Sequence, residues 1–143
     1  MTKFYSYTLL LAILLTQSLM LRAANPDKSA DDEYLAVATS WLKLTDEANY
    51  EASWKNANSS LQAQMPLKTW SDNLANTRSP FGKLVKRKLI TGSYTRYLFS
   101  QPGKEIVVIK FNTDFEKRSD IKETVILTPD KDNRFKVSGY LLK

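Results

Sequence analysis

The spacing of apolar positions along the chain changes once. From Tyr34 to Leu74 apolar residues recur three and four apart, and from Leu84 to Leu142 they alternate. Tyr34, Val37, Ala38, Trp41, Leu42 and Ala48 mark one stripe of a first helix, which Ser29 opens. Asp31, Asp32 and Glu33 stand in its first turn, where the helix dipole favours anions. Residues Tyr50 to Asn58 read as a second, short helix with Tyr50 and Trp54 four apart on one side. Pro66 suits the first turn of a third, along which Leu67, Trp70 and Leu74 repeat until Ser79-Pro80-Phe81-Gly82 ends it. The first β-rich stretch runs from Leu84 to Leu98 with an interruption at Gly92, and Gln101-Pro102-Gly103-Lys104 forms a turn. Strands then follow at Glu105 to Phe115, Lys122 to Thr128 and Phe135 to Leu142, the last two separated by Pro129 and the turn Asp130-Lys131-Asp132-Asn133. Three helices before four strands predict an α+β fold, with helices packed on one face of a mainly antiparallel four-stranded sheet.

The first 24 residues belong to a different kind of segment. Lys3 precedes the apolar run TLLLAILL, and Arg22-Ala23-Ala24 leads into Asn25-Pro26. A positive start, an apolar centre and small residues at the end describe a secretory signal peptide over residues 1–24. The alternative is a retained anchor, because Phe4 to Leu21 is near the lower length limit for a spanning helix. No linker or repeat divides residues 25–143, which are expected to form one domain. That points to an exported protein, secreted or, in a bacterium, periplasmic.

Composition narrows the chemistry. The 143 residues contain neither Cys nor His, which removes disulfides, thiolate nucleophiles, Ser-His-Asp catalysis and zinc sites built on those ligands. Any catalytic base is then Asp, Glu, Tyr or Lys. Charge is segregated along the chain. Residues 25–56 carry seven acidic and three basic side chains, whereas residues 57–104 carry one acidic and eight basic.

Strand parity produces one unusual feature. Val107, Ile109, Phe111 and Phe115 share a face, Val125 and Leu127 share one with Glu123, and Val85 and Leu89 share one with Arg87. If these odd faces point inward, Arg87 and Glu123 face the helices, and an isolated inward charge is prohibitively costly. They therefore form either an internal ion pair or part of a ligand-binding concavity. Ile126 and Tyr140 support the opposite parity, in which Arg87 faces solvent.

The segments Gly103-Lys104-Glu105, IVVIKFNTDF through Phe115, Glu123-Thr124-Val125 and Val137-Ser138-Gly139-Tyr140 resemble a family of exported bacterial proteins, domain of unknown function four thousand and nineteen. Trp41, Asp46, Tyr50, Ser53-Trp54, Trp70, Arg78 and Phe81-Gly82 extend the resemblance through the helical half, so that it covers about residues 30–143. Asn133 and Phe135 depart from the Gly and Trp usual in that family before the last strand. The resemblance implies a signal peptide and a cystatin-like or NTF2-like arrangement of helices on a curved sheet. It implies no reaction.

Other signals have plain readings. Trp41, Trp54 and Trp70 lie on helical stripes and are expected in the core more than in an aromatic cage. Lys83, Lys86, Arg87 and Lys88 lack interleaved aromatics or a recognition helix, so nucleic acid is not an expected partner; a solvated strand face is, with anionic glycan or lipid headgroups behind. Asp130 to Asn133 resembles the start of a calcium loop, but Arg134 and the lack of a following Gly make it a turn. Asn58-Ser59-Ser60 is a glycosylation sequon relevant only in a eukaryotic secretory route.

Two functional classes follow, neither with a cofactor or metal. In the first, a non-catalytic module binds a small ligand or an envelope protein, with Arg78 and Arg87 meeting anionic groups beside Glu123. Trp41, Trp54, Phe111 and Tyr140 would then supply apolar walls. In the second, an NTF2-like enzyme uses Glu123 or Asp46 as a desolvated carboxylate with Tyr140 or Tyr50 as donor. No catalytic residue is assigned. Contact with a membrane is expected only through an uncleaved leader, and self-association along an open strand edge would give a homodimer.

Overall fold

The computed structural model describes residues 26–90, 95–98 and 105–143 of the chain. The leader, the interruption at Gly92 and the turn at residues 101–104 lie outside the described residues. Helices precede strands, as the change of period predicts. They are α1 (Pro26–Asp46), α2 (Tyr50–Lys55), α3 (Ser59–Gln64) and α4 (Leu67–Arg78), followed by a 3-10 turn at Ser79–Phe81. The strands are β1 (Leu84–Leu89), β2 (Thr95–Leu98), β3 (Glu105–Phe115), β4 (Arg118–Pro129) and β5 (Phe135–Leu142).

Several boundaries differ from the sequence reading. Helix α1 begins at Pro26, so Ser29 lies inside it rather than at its cap. The expected helix from Tyr50 to Asn58 stops at Lys55, and an unexpected further helix, α3, begins just beyond that range, capped by Asn58. Its side chain accepts from the backbone N–H of Ser60 at 2.9 Å. Asn58 is buried, and its amide donates to the carbonyls of Thr128 and Pro129 at 3.2 Å each. The sequon asparagine is thus a clamp between α3 and the end of β4. Strand β4 starts at Arg118, four residues before the expected Lys122. The turn at Asp130 to Asn133 is present, closed by the Asn133 N–H donating to the Asp130 carbonyl at 2.9 Å.

All strand pairs are antiparallel, in the order β1-β3-β4-β5, with β2 continuing along the same edge of β3 as β1. The interrupted first stretch is therefore two strands in one row, and the sheet is four strands wide. Tyr34, Ala38, Trp41, Leu42 and Thr45 make the buried stripe of α1, and Trp70, Leu74 and Arg78 that of α4. They meet one face of the sheet, where Val107, Ile109, Val125, Leu127 and Val137 are buried. Each such side chain contributes roughly 1.5–3 kcal/mol through the apolar area it removes from water. Among the described residues, no helix is long and apolar enough to cross a membrane.

Three irregularities in the ladder decide side-chain direction. The register shift between Leu84 and Lys86 leaves Val85 unpaired and 66% exposed, so it does not share the inward face with Arg87 as parity predicts. The shift opposite Ile126 and Leu127 leaves Ser138 extra in β5. Val137 and Tyr140 consequently both face the helices despite their odd and even numbers. This removes the case for the opposite parity. The third shift, between Thr113 and Phe115, lies opposite Asp120, which adopts a φ of 61°.

Candidate functional site

Six side chains from six elements converge at one end of the inner sheet face. Arg78 follows Trp70 and Leu74 at i, i+4, i+8 on the buried stripe of α4. Asp46 ends α1, one residue after buried Thr45. Arg87 pairs with Thr113 across β1 and β3, and Glu123 pairs with Phe111 across β3 and β4, placing Arg87 and Glu123 on a diagonal. Tyr140 of β5 is opposite Val125, two residues beyond Glu123.

The polar groups saturate one another. Arg87 donates through Nη1 and Nη2 to the two Asp46 oxygens at 2.8 and 2.9 Å, and through Nε to Glu123 Oε2. Arg78 donates from Nη1 to Glu123 Oε1 at 3.1 Å and to the Tyr140 hydroxyl, and from Nη2 to Asp46 Oδ1. Thr113 Oγ1 donates to Glu123 Oε2 at 2.6 Å, and the Tyr140 hydroxyl donates to Glu123 Oε1. Two carboxylates and two guanidinium groups balance in charge, and among the described residues no buried side-chain polar atom lacks a partner. Such a cluster is tolerable in the interior because every member is both paired and hydrogen-bonded.

Burial pulls the Glu123 carboxyl upward, but hydrogen bonds from Arg87, Thr113 and Tyr140 and the charge of Arg87 outweigh it and hold it below the usual range. Burial also opposes the charge on both arginines, yet their anionic partners raise them above the ordinary value. Burial and the charge of Glu123 together push the Tyr140 phenol up, so it stays protonated. Glu123 is thus a fixed anion with both oxygens occupied. A general base for proton abstraction needs a raised pKa and a free lone pair, and Glu123 has neither.

Arg78, Arg87, Glu123 and Tyr140 come together as a group, joined by Asp46 and by Thr113. The aromatic residues nominated with them divide. The Trp41 ring packs edge-on to Tyr140 at 5.3 Å and to Trp70 at 6.0 Å, with its N–H donated to the Ser53 carbonyl at 2.9 Å. Phe111 is buried beneath the cluster. Trp54 sits in the helical layer and donates its N–H to the Met65 carbonyl at 2.8 Å, away from the charges. Thr113 could have been found as the polar residue between Phe111 and Phe115 in the inward row of β3.

Glu123 has no solvent exposure and Arg87 keeps 12% of its side chain exposed, while the cluster also reaches solvent through Asp46 and Arg78. These two form part of a cleft of about 720 Å³ between the end of α1, the Gly82 turn and the β3–β4 hairpin. Lys43, Lys83 and Lys117 stand on its rim with Glu47 and Glu116, and Tyr50 contributes to its wall. The far wall is stitched by Glu116 N–H to the Lys83 carbonyl and Lys117 N–H to the Phe81 carbonyl, each 2.9 Å, and by Lys83 N–H to Glu116 Oε2 at 3.0 Å. Gly82, at a φ of 79°, is required there. A Cβ would stand 2.9 Å from Glu116 Oε2 and 3.0 Å from its Cβ. Two other concavities are separate from the cleft. Trp41 lines a groove of about 560 Å³ along α1, and Tyr140 lines one of about 290 Å³ with Trp70 and Met65. Among the described residues no group of acidic side chains is arranged to hold a metal ion.

The class defined by these features is an α+β domain with helices on one face of an antiparallel sheet and a saturated ion cluster at one end of the interface. The chain belongs to the family described as protein of unknown function (DUF4019), whose model matches residues 37–140. The matched span runs from within α1 to Tyr140 and includes all six members of the cluster. None of the curated proteins matches this chain.

Proposed function

We propose that this is an exported, non-catalytic module of the bacterial envelope that binds a small ligand in the cleft over Asp46 and Arg78. The observation that carries this reading is the preformed cleft of about 720 Å³, with a charged floor held rigid from behind and lysines on its rim. The cluster serves as a support. By hydrogen-bonding Arg78 and Asp46 from the protein side, it fixes their positions before a ligand arrives, which lowers the ordering cost of binding. The apolar run at residues 8–15 supports export to the periplasm or beyond.

Native mass spectrometry on protein purified from the periplasm of its bacterial host tests both parts. The expected spectrum has a mature chain lacking the leader and an added mass that disappears on denaturation. Lys83→Ala combined with Lys117→Ala should lose the added mass while keeping the melting temperature. An added mass retained by that variant would place the ligand elsewhere, and a chain that keeps its leader would refute secretion with cleavage.

A further inference from the structure

Strand β1 ends one side of the sheet. The Ile90 N–H donates to the Lys110 carbonyl at 3.0 Å, which fixes the phase of the ladder. The hydrogen-bonded pairs are then Lys88 with Asn112 and Lys86 with Asp114, while Arg87 and Leu89 occupy the alternating pairs whose backbone groups point away from β3. Among the described residues nothing pairs with that side of β1. An open edge of this kind is a template for one more strand.

The side chains beside this edge specify what such a strand would look like. Lys86 and Lys88 are exposed on the face of the sheet away from the helices, and no ion pair joins either to the described residues. On the helix side, Leu89 is 42% exposed; Val85, which the bulge takes off that face, is 66% exposed. Arg87 between them is turned inward and clamped to Asp46 and Glu123, so the ion cluster holds β1 in position from behind. We infer that the β1 edge is a docking site for an extended acidic segment of a partner protein, with Asp or Glu alternating with aliphatic residues. Acidic positions would lie beside Lys86 and Lys88, and aliphatic positions beside Leu89. A second copy of this chain fits poorly, because pairing β1 with itself brings Lys86 and Lys88 against their own counterparts.

The test uses the whole mature protein and an acetylated, amidated seven-residue peptide alternating glutamate and valine. Labelled backbone amides are followed by NMR. The expected result is saturable binding in which the Arg87 and Leu89 amides gain protection from hydrogen exchange. A peptide N-methylated at alternate residues keeps the charges but cannot pair, and its affinity should fall roughly ten-fold or more. Lys86→Glu combined with Lys88→Glu should transfer preference to the corresponding lysine-valine peptide, with an unchanged melting temperature as the control for folding. Equal binding by the N-methylated peptide, no binding, or shifts confined to the cleft would overturn the inference, as would a dimer formed through this edge. The readout is independent of the cleft, since neither Lys86 nor Lys88 lines it.

Discussion

The two ends of the inner sheet face are built from the same strands and covered by the same helical layer, yet they are chemically opposite. At one end Val107, Ile109, Val125, Leu127 and Val137 make a dry apolar layer. At the other, Arg87, Thr113, Glu123 and Tyr140 meet Asp46 and Arg78 in an ion cluster. The apolar end draws its stability from area removed from water, a non-directional effect that tolerates shape-preserving substitution. The polar end is directional. Its net gain over an apolar equivalent is small, but removing any member strands the others without water. The difference teaches that this interface is glued at one end and keyed at the other, with the candidate cleft above the keyed end.

The contrast is broken most strongly by Glu123→Ala. With Glu123 gone, two buried guanidinium groups share Asp46 alone, and unfolding in urea should show a loss of about 3–5 kcal/mol. A loss below about 1 kcal/mol would mean that the cluster behaves as a solvated surface network. Tyr140→Phe is a milder cut at the same place. It leaves Glu123 Oε1 with Arg78 as its remaining donor and should cost about 1–3 kcal/mol. Because Trp41 packs on the ring rather than the hydroxyl, its fluorescence should be nearly unchanged.

Acid should discriminate between the ends. Glu123 is held below its unfolded value, so the folded state keeps this carboxylate ionised where the unfolded chain has begun to bind a proton. Its contribution is complete above the unfolded pKa of about 4.3 and is lost as pH falls from there through the folded pKa. One such group changes stability by at most about 1.4 kcal/mol per pH unit. Stability measured from pH 6 downward should therefore fall more steeply in the wild type than in Glu123→Gln. Parallel curves would mean that other carboxylates dominate acid unfolding. The smallest effect belongs to the apolar end, where Ile109→Val should cost about 0.5–1.5 kcal/mol with no change in its pH dependence. Any change in acid sensitivity there would show that the two ends are coupled.

The clearest strands explain how much was legible beforehand. Along β3 and β4 the alternation is uninterrupted through the core, so the inward direction of Glu123 and its need for a partner could be read from the chain. On β1 and β5 a single extra residue, Val85 or Ser138, reverses parity partway along the strand. Around Val85 nothing in the composition marks a bulge, and beside Ser138 only Gly139 does, a signal that the alternation alone does not use. This is why Tyr140 seemed to argue for the wrong face while occupying the right one. The helical boundary at Asn58 was hidden for a related reason, since its side chain makes its contacts with Thr128 and Pro129, seventy and more residues away.

The sequence by itself determined the order of helices and strands, the family, the inward course of β3 and β4, and the presence of charges that must be compensated. These depend on periodicity and on the cost of burying an ion, both local properties of a chain. Only the tertiary structure decided that Asp46 and Arg78 would complete the pair between Arg87 and Glu123, and that these two would line a cleft. That outcome depends on where the ends of α1 and α4 land on the sheet. Helix packing and ladder register set those positions together, and neither is written at any single residue.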